Sequence, residues 1–318
     1  MLNLQIRSKT PETANIVSFE LERSDQGVLP PYSAGAHIDV QIAPKIVRQY
    51  SLLPHPDKEH IYKIAVLKEA QSRGGSQFLH ESTQVGDTLT ISAPRNLFPL
   101  NLDSQKVLLF AGGIGITPLL SMAYELDRAG IDFELHYHVK QQSHIAFYQA
   151  LKDSTFASKV FFHCGLSPTE KEQVIQQALS TAANKRALYT CGPNGFMDYI
   201  FATARALGWL EQHMHKEVFS AKPLDDDRND GSFELFLTRS NLQLHVPADK
   251  SALEVIEDAG VEIDVSCEQG ICGSCLTAVS CGQVDHRDQF LSEAEKALHN
   301  RFTPCCSRAL SPSLTIDL

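Results

Sequence analysis

The chain has 318 residues, 43% of them hydrophobic, and a formal charge of −10 at neutral pH. That length supports two or three domains with ample buried core, and the acidic balance excludes a nucleic-acid binder, which needs a basic stripe. The longest apolar run, "VLLFAGGIGITPLL" at 107–120, is broken by glycines and a proline, so no segment reads as a membrane span. The amino terminus lacks a signal-peptide apolar core. Eight cysteines in such a chain point to a reducing cytoplasm and to metal or redox use.

Residues 1–102 read as β-rich. "IVSFELER", "HIDVQI", "QYSLL", "YKIAVLK" and "DTLTISA" alternate or run apolar at strand length, with Pro, Gly and Asp between them. Short strands at such intervals predict an antiparallel barrel. Within it, "RQYSLL" puts Arg48 and Tyr50 on one strand face, followed by Ser51. A guanidinium and an aromatic ring there can hold a phosphate and cover a flat ring system. Exposed strand faces often carry Arg and Tyr, so this motif alone decides nothing. "SRGGSQFLHE" adds Arg73 beside Gly74, Gly75 and Ser76 at the start of a short helical run, a second phosphate candidate that is otherwise a simple loop.

From 103 to 221 the pattern changes to strands and helices in regular alternation. "KVLLFAGG", "FELHYHV", "KVFFHC" and "ALYTCG" are strands; "TPLLSMAYELDRAG", "IAFYQALKD", "EKEQVIQQALSTA" and "GFMDYIFATARALG" are helices. This predicts a parallel, doubly wound α/β sheet. "FAGGIGITPLLSM" lacks the third glycine of G-x-G-x-x-G. Its Gly112, Gly113 and Gly115 still allow close backbone approach, and Thr117 with Pro118 marks the helix start. "YTCGPNGFMD" repeats the arrangement at a later strand end, where nucleotides bind in such sheets. Cys191 there is a candidate nicotinamide contact, or a small buried core residue.

The polar, proline-bearing stretch 222–231 reads as a linker. Residues 232–318 open with a hairpin, "FELFLT" and "LQLHVPA", then a helix, "SALEVIEDAG". "SCEQGICGSC" follows. The spacing Cys267-x4-Cys272-x2-Cys275-x29-Cys305 is the plant-type [2Fe–2S] pattern. A zinc site would want two C-x2-C pairs, whereas here Cys272 and Cys275 make one. A disulfide framework would need an oxidising compartment. The loop glycines leave room for backbone to wrap bridging sulfides.

In order, R-x-Y-S, RGGS, GGIGITP, CGP and C-x4-C-x2-C…C resemble the phthalate dioxygenase reductase family, the one-chain reductases of Rieske-type oxygenases. Within it, "APRNLFPL", "FAGGIGITPLL", "CEQGICGSC" and "FTPCCSRA" are most similar to the reductases of aromatic demethylases. The resemblance implies a multidomain protein: a ferredoxin-reductase-like barrel for FMN, a doubly wound NADH domain and an α+β, β-grasp ferredoxin domain. By position it implies that Arg48, Tyr50 and Ser51 contact the flavin and its phosphate. Ala65, Val66 and Lys68 line the flavin's edge, and Arg73, Gly74, Gly75 and Ser76 hold its phosphate. Gly113, Thr117 and Cys191 face the nicotinamide, Phe219 lies against the flavin, and Cys267, Cys272, Cys275 and Cys305 bind the cluster, with Cys306 as a spare neighbour. It further implies a cytoplasmic electron relay, with a monomer as the default and a Rieske-type terminal oxygenase as partner. NADH supplies two electrons, flavin divides them, and no acid–base residue is required. One departure stands out. No acidic residue follows "FELHYHVK" to hold a ribose diol, and His138 and Lys140 there leave NADPH possible. The competing class is a flavin and iron–sulfur redox sensor.

Overall fold

The computed structural model describes residues 1–43, 46–70, 74–180, 186–221 and 231–318. They form two compact units, Met1–Glu217 and Val218–Leu318.

The first unit begins with six strands and a short helix: β1 (Leu2–Pro11), β2 (Ile16–Glu22), β3 (His37–Ala43), β4 (Ile46–Ser51), β5 (Ile61–Leu67), α1 (Gly75–Glu81) and β6 (Thr88–Ile91). They pair antiparallel in the order β4-β3-β6-β1-β2-β5. The sheet closes where Leu53 bridges Lys63, the Leu53 N–H donating to the Lys63 carbonyl at 2.8 Å. Closure removes the exposed edges that an open sheet would leave. Alternation sends Leu4, Ile6, Phe19, Leu21, Ile64 and Val66 into the barrel interior, all fully buried.

Next comes the alternating region: β7 (Lys106–Gly112), α2 (Ile116–Arg128), β8 (Asp132–Val139), α3 (Tyr148–Lys152), β9 (Val160–Cys164), α4 (Pro168–Leu179), β10 (Arg186–Cys191), α5 (Asn194–Ala206) and β11 (Met214–Glu217). All five strands run parallel, in the order β11-β10-β7-β8-β9. The order reverses between β7 and β10, which is the crevice where such sheets bind ligands. β7 is buried on both faces from Val107 to Ala111, as a central parallel strand must be. Helix α4 starts on a reciprocal capping box between Ser167 and Glu170, two residues before the predicted helix. The helix predicted over 145–153 shrinks to Tyr148–Lys152. Ile145, Ala146 and Phe147 are instead buried in the core, with the Ala146 N–H donating to the Tyr137 hydroxyl at 3.3 Å and Phe147 at φ 59°.

Barrel and parallel sheet make one unit because they share a core. Ile16, Ala34, Leu53 and Ala65 of the barrel pack into the same apolar cluster as Leu109, Leu119 and Tyr137. The Tyr189 hydroxyl also receives the Asn101 N–H at 2.9 Å, tying down the connecting segment.

The second unit contains β12 (Phe233–Leu237), β13 (Leu242–Val246), α6 (Ala252–Asp258), β14 (Thr277–Cys281), β15 (Val284–Asp285), α7 (Glu293–Lys296), β16 (Arg301–Phe302), β17 (Arg308–Ala309) and β18 (Ser313–Ile316). Its main sheet has the order β13-β12-β18-β14-β16, with β12 and β18 parallel and the other pairs antiparallel. Helix α6 closes the core over Phe233, Leu235 and Leu314 through Ala252 and Ile256. This is the α+β, β-grasp plan expected. The linker expected at 222–231 lies, up to residue 230, outside the described residues.

Candidate functional site

The two phosphate candidates in the barrel meet. A Cβ placed on Gly75 would strike Arg48 Cγ at 2.5 Å, so the Arg48 stem lies directly across the start of α1. Gly74 precedes it at φ 86°, a conformation suited to glycine. Ser76 is buried, and its hydroxyl accepts the Glu69 N–H at 3.2 Å. Arg73 falls outside the described residues. Tyr50, on the Arg48 face of β4, packs against the barrel core, and burial pushes its phenol well above the ordinary range. The expected flavin-edge trio is split. Ala65 faces the core shared with the parallel sheet, whereas Val66 points into the barrel and its carbonyl meets His80 Nε2 at 2.9 Å. The Lys68 ammonium pairs with Glu81 at 2.8 Å. Val66 therefore cannot line a flavin with its side chain, since strand alternation sends neighbouring residues to opposite faces.

The two glycine turns of the parallel sheet are pressed together. A Cβ on Gly115 would meet the Cys191 carbonyl oxygen at 2.2 Å. Of the three residues expected at the nicotinamide, Gly113 faces open space. Thr117 is buried and donates its hydroxyl to the Ile114 carbonyl at 3.1 Å. Cys191 is fully buried, and burial together with nearby Glu217 pushes its thiol well up. It is a neutral thiol in the wall of the crevice.

Glu217 is the residue that motif reading missed. It ends β11 in register with Cys191; the residue is partly buried with its Oε2 shut away from solvent, and desolvation pushes its carboxyl up to about 8. The Ser51 hydroxyl beside it partly opposes that rise. Neither Ser51 Oγ nor Glu217 Oε2 makes a hydrogen bond of good geometry among the described residues. A hydroxyl and a carboxyl oxygen this weakly satisfied away from water keep hydrogen-bonding capacity that a ligand can complete. The residues therefore fit a polar heterocycle held between barrel and sheet. The missed signal was the short polar strand "MHKE", which carries no apolar period.

In the second unit the cysteines stand as two pairs. Cys275 Sγ lies 3.4 Å from Cys305 Sγ, and Cys267 hydrogen-bonds Cys272. Cys267, Cys272 and Cys275 are buried. In each pair one sulfur takes the partner's hydrogen bond. Cys272 is lowered, by Cys267 first and then Ser274, and Cys275 is lowered by Cys305. Backbone N–H groups of Gln269 and Ser274 also point at the Cys267 and Cys272 sulfurs, at 3.3 and 3.4 Å. Among the described residues no group of three metal-binding side chains forms a single-ion site. Two pairs of thiols with amide donors around them match the donor set of a two-iron cluster. What crowds the loop glycines differs from expectation. A Cβ on Gly273 would strike the Phe290 ring at 2.5 Å, and one on Gly270 would strike Cys306 Sγ at 2.4 Å. Phe219 is half exposed at the start of this unit.

Barrel, parallel nucleotide sheet and cysteine-loop module together define a modular flavin and iron–sulfur reductase. Residues 235–310 match the 2Fe-2S iron-sulfur cluster binding domain. The whole chain is 46% identical to vanillate O-demethylase oxidoreductase of Pseudomonas sp. strain HR199, with both chains fully covered. It is 37% identical to phthalate dioxygenase reductase of Burkholderia cepacia, covering 100% of this chain and 97% of that one. A solved phthalate dioxygenase reductase, described as a modular structure for electron transfer from pyridine nucleotides to [2Fe-2S], superposes with a TM-score of 0.77 at 36% identity over 100% of this chain and 98% of that one. The chain belongs to the phthalate dioxygenase reductase family. It is an NAD(P)H-dependent flavin iron–sulfur oxidoreductase, with FMN and a [2Fe–2S] cluster as cofactors, and the reductase component of an oxygenase system. No helix among the described residues is long and apolar enough to cross a membrane.

Proposed function

We propose that this chain is the reductase of a Rieske-type aromatic O-demethylase, acting as a cytoplasmic monomer. Bound FMN would supply the step-down from a two-electron donor, NADH, to a one-electron [2Fe–2S] acceptor. The chain's own part is placement. Arg48, Gly74, Gly75 and Ser76, with Arg73, hold the flavin phosphate, and Tyr50 and Ser51 cover its ring. The Gly113 turn and Thr117 receive the nucleotide beside Cys191, whose neutral thiol packs without adding charge. Glu217, kept protonated by desolvation of its carboxyl, donates a hydrogen bond into the crevice. Cys267 and Cys272 hold one iron, and Cys275 and Cys305 the other. The modules are residues 1–102, 103–221 and 232–318, joined by 222–231. The observation that carries this reading is the weakly satisfied pair of Ser51 and Glu217 beside the locked Gly115 and Cys191 turns. Its support in substrate class is the vanillate O-demethylase relatives. Anaerobic titration with NADH, followed by flavin absorbance and cluster EPR, tests it. Flavin bleaching followed by cluster reduction is expected, and a cluster that stays oxidised while the flavin bleaches would overturn it. Vanillate turnover with the cognate oxygenase tests the substrate.

A further inference from the structure

The wall behind the cysteine loop is one short segment, Asp288, Gln289 and Phe290, and it carries a buried carboxylate. The Gln289 N–H donates to the Gly270 carbonyl at 2.9 Å, and the Phe290 ring closes on Gly273. Gly270 sits at φ 69°, two residues before Cys272, and a Cβ there would lie 3.0 Å from Asp288 Cα. Asp288 therefore packs on the stretch of loop between Cys267 and Cys272.

A carboxylate is a costly side chain for that place. Asp288 is only 2% exposed, and a buried charge needs compensation. Its Oδ2 accepts the Leu291 N–H at 2.8 Å, and its Oδ1 meets His286 Nδ1 at 3.3 Å. The nearby arginines turn to other groups. Arg287 pairs with Asp285 at 2.7 Å, and Arg308 donates to the backbone carbonyls of Gly231, Pro247 and Lys250. His299, stacked on His286 at 5.7 Å, accepts the Val284 N–H through its Nδ1. With Nδ1 turned to Asp288, His286 leaves its Nε2 buried without a hydrogen-bond partner among the described residues. An asparagine would fill the same space as Asp288. What the carboxylate adds is charge.

We propose that the Asp288 carboxylate, held by His286, lowers the reduction potential of the cluster. This rests on the reading of the four cysteines as its ligands. Reduction adds negative charge to the cluster, so a fixed negative charge beside the loop opposes it. At an effective dielectric of about 20, a unit charge on the order of 10 Å away shifts a one-electron equilibrium by about tenfold or more. A lower potential makes the reduced cluster a stronger donor to the oxygenase and lets less of it accumulate.

The experiment is a dye-mediated redox titration of the intact holoenzyme at pH 8, followed by cluster EPR, on the parent and on Asp288→Asn. Asparagine keeps the shape and an oxygen for the Leu291 N–H while removing the charge. The one-electron equilibrium of the cluster is expected to move about tenfold toward the reduced form, ~59 mV upward. Iron content and EPR line shape should match the parent, which separates lost charge from a disturbed loop. An unchanged potential in a fully loaded Asp288→Asn protein would overturn the proposal. If that variant does not load iron, His286→Leu decides, because it removes a donor and leaves the carboxylate less compensated. Its equilibrium is expected to move the other way, about threefold toward the oxidised form, and a move toward the reduced form would overturn the proposal. A parent that shows no [2Fe–2S] EPR signal on reduction would instead overturn the reading of the cysteines, and the proposal with it.

Discussion

The crevice of the first unit and the cysteine loop of the second are built in opposite ways. The crevice is assembled from pieces distant in the chain: Ser51 from the barrel, Gly115 from the first turn, Cys191 from a later one and Glu217 from the last strand. The cysteine loop gathers three of its four sulfurs within nine residues, and only Cys305 comes from further off. A locally built site depends on its ligands one by one. A site built at long range depends on the packing that brings its parts together.

The cluster ligands should therefore give the largest single effect. Cys272→Ser removes a sulfur paired with Cys267 and is expected to abolish the iron–sulfur spectrum, while NADH still bleaches the flavin in the separate first unit. Absorption and EPR spectra before and after NADH check both halves. Loss of flavin bleaching as well would mean the two sites are not independent.

Gly115→Ala asks the same question of the crevice without touching a polar group. The added Cβ would sit 2.2 Å from a backbone oxygen, which has no flexible side chain to yield. Separation of the two turns should cost up to about 3 kcal/mol, seen as a lower denaturation midpoint and a raised KM for nucleotide. The cluster spectrum should not change.

How far each site could be read from residues alone follows from the same contrast. The cysteine spacing is a local pattern, and the structure pairs those sulfurs. The parallel sheet was legible because strand-length segments such as the apolar β7 and the alternating β8 are separated by amphipathic helices. The split of Ala65 and Val66 to opposite faces was not legible because the motif "IAVLK" does not say which face of β5 turns into the barrel. Glu217 was invisible because its role arises from burial, and burial comes from the parallel pairing of β11 with β10 rather than from any motif. The short α3 was overpredicted because a tertiary hydrogen bond to Tyr137 and core burial override the helical period of "IAFYQALKD".

Glu217 gives an effect that appears only as pH rises, with a definite sign. Its carboxyl ordinarily titrates near 4.5 and is raised to about 8 by burial. Between those values the folded protein keeps a proton that the unfolded chain releases. The associated stability is fully present below the unfolded value and is lost as pH rises through about 8. Glu217→Gln keeps the shape and removes the titration. Relative to the parent, it should gain up to about 4 kcal/mol on going from pH 5 to 9, measured by denaturant midpoints at each pH. Parallel pH profiles for the two proteins would show that the carboxyl is not held protonated in the fold.

The smallest effect concerns docking on the oxygenase. Three carboxylates, Glu268, Asp285 and Asp288, lie in or after the cysteine loop, and the fold engages two of them. Asp288 is buried and accepts the Leu291 N–H at 2.8 Å, while Asp285 pairs with Arg287 at 2.7 Å. Glu268 remains exposed, at φ 54° inside the loop. One exposed carboxylate contributes little to affinity, but it can steer encounter with a basic surface at low salt. Glu268→Gln should therefore lower oxygenase-coupled turnover, at limiting reductase, by less than about threefold at low ionic strength. The difference from the parent should vanish as salt is raised past about 0.15 M, where the Debye length falls to ~8 Å. Dye reduction, which needs no docking, should be unchanged throughout. A salt-independent deficit would instead point to the backbone of the loop, since a side chain at positive φ also shapes the turn that carries Cys267.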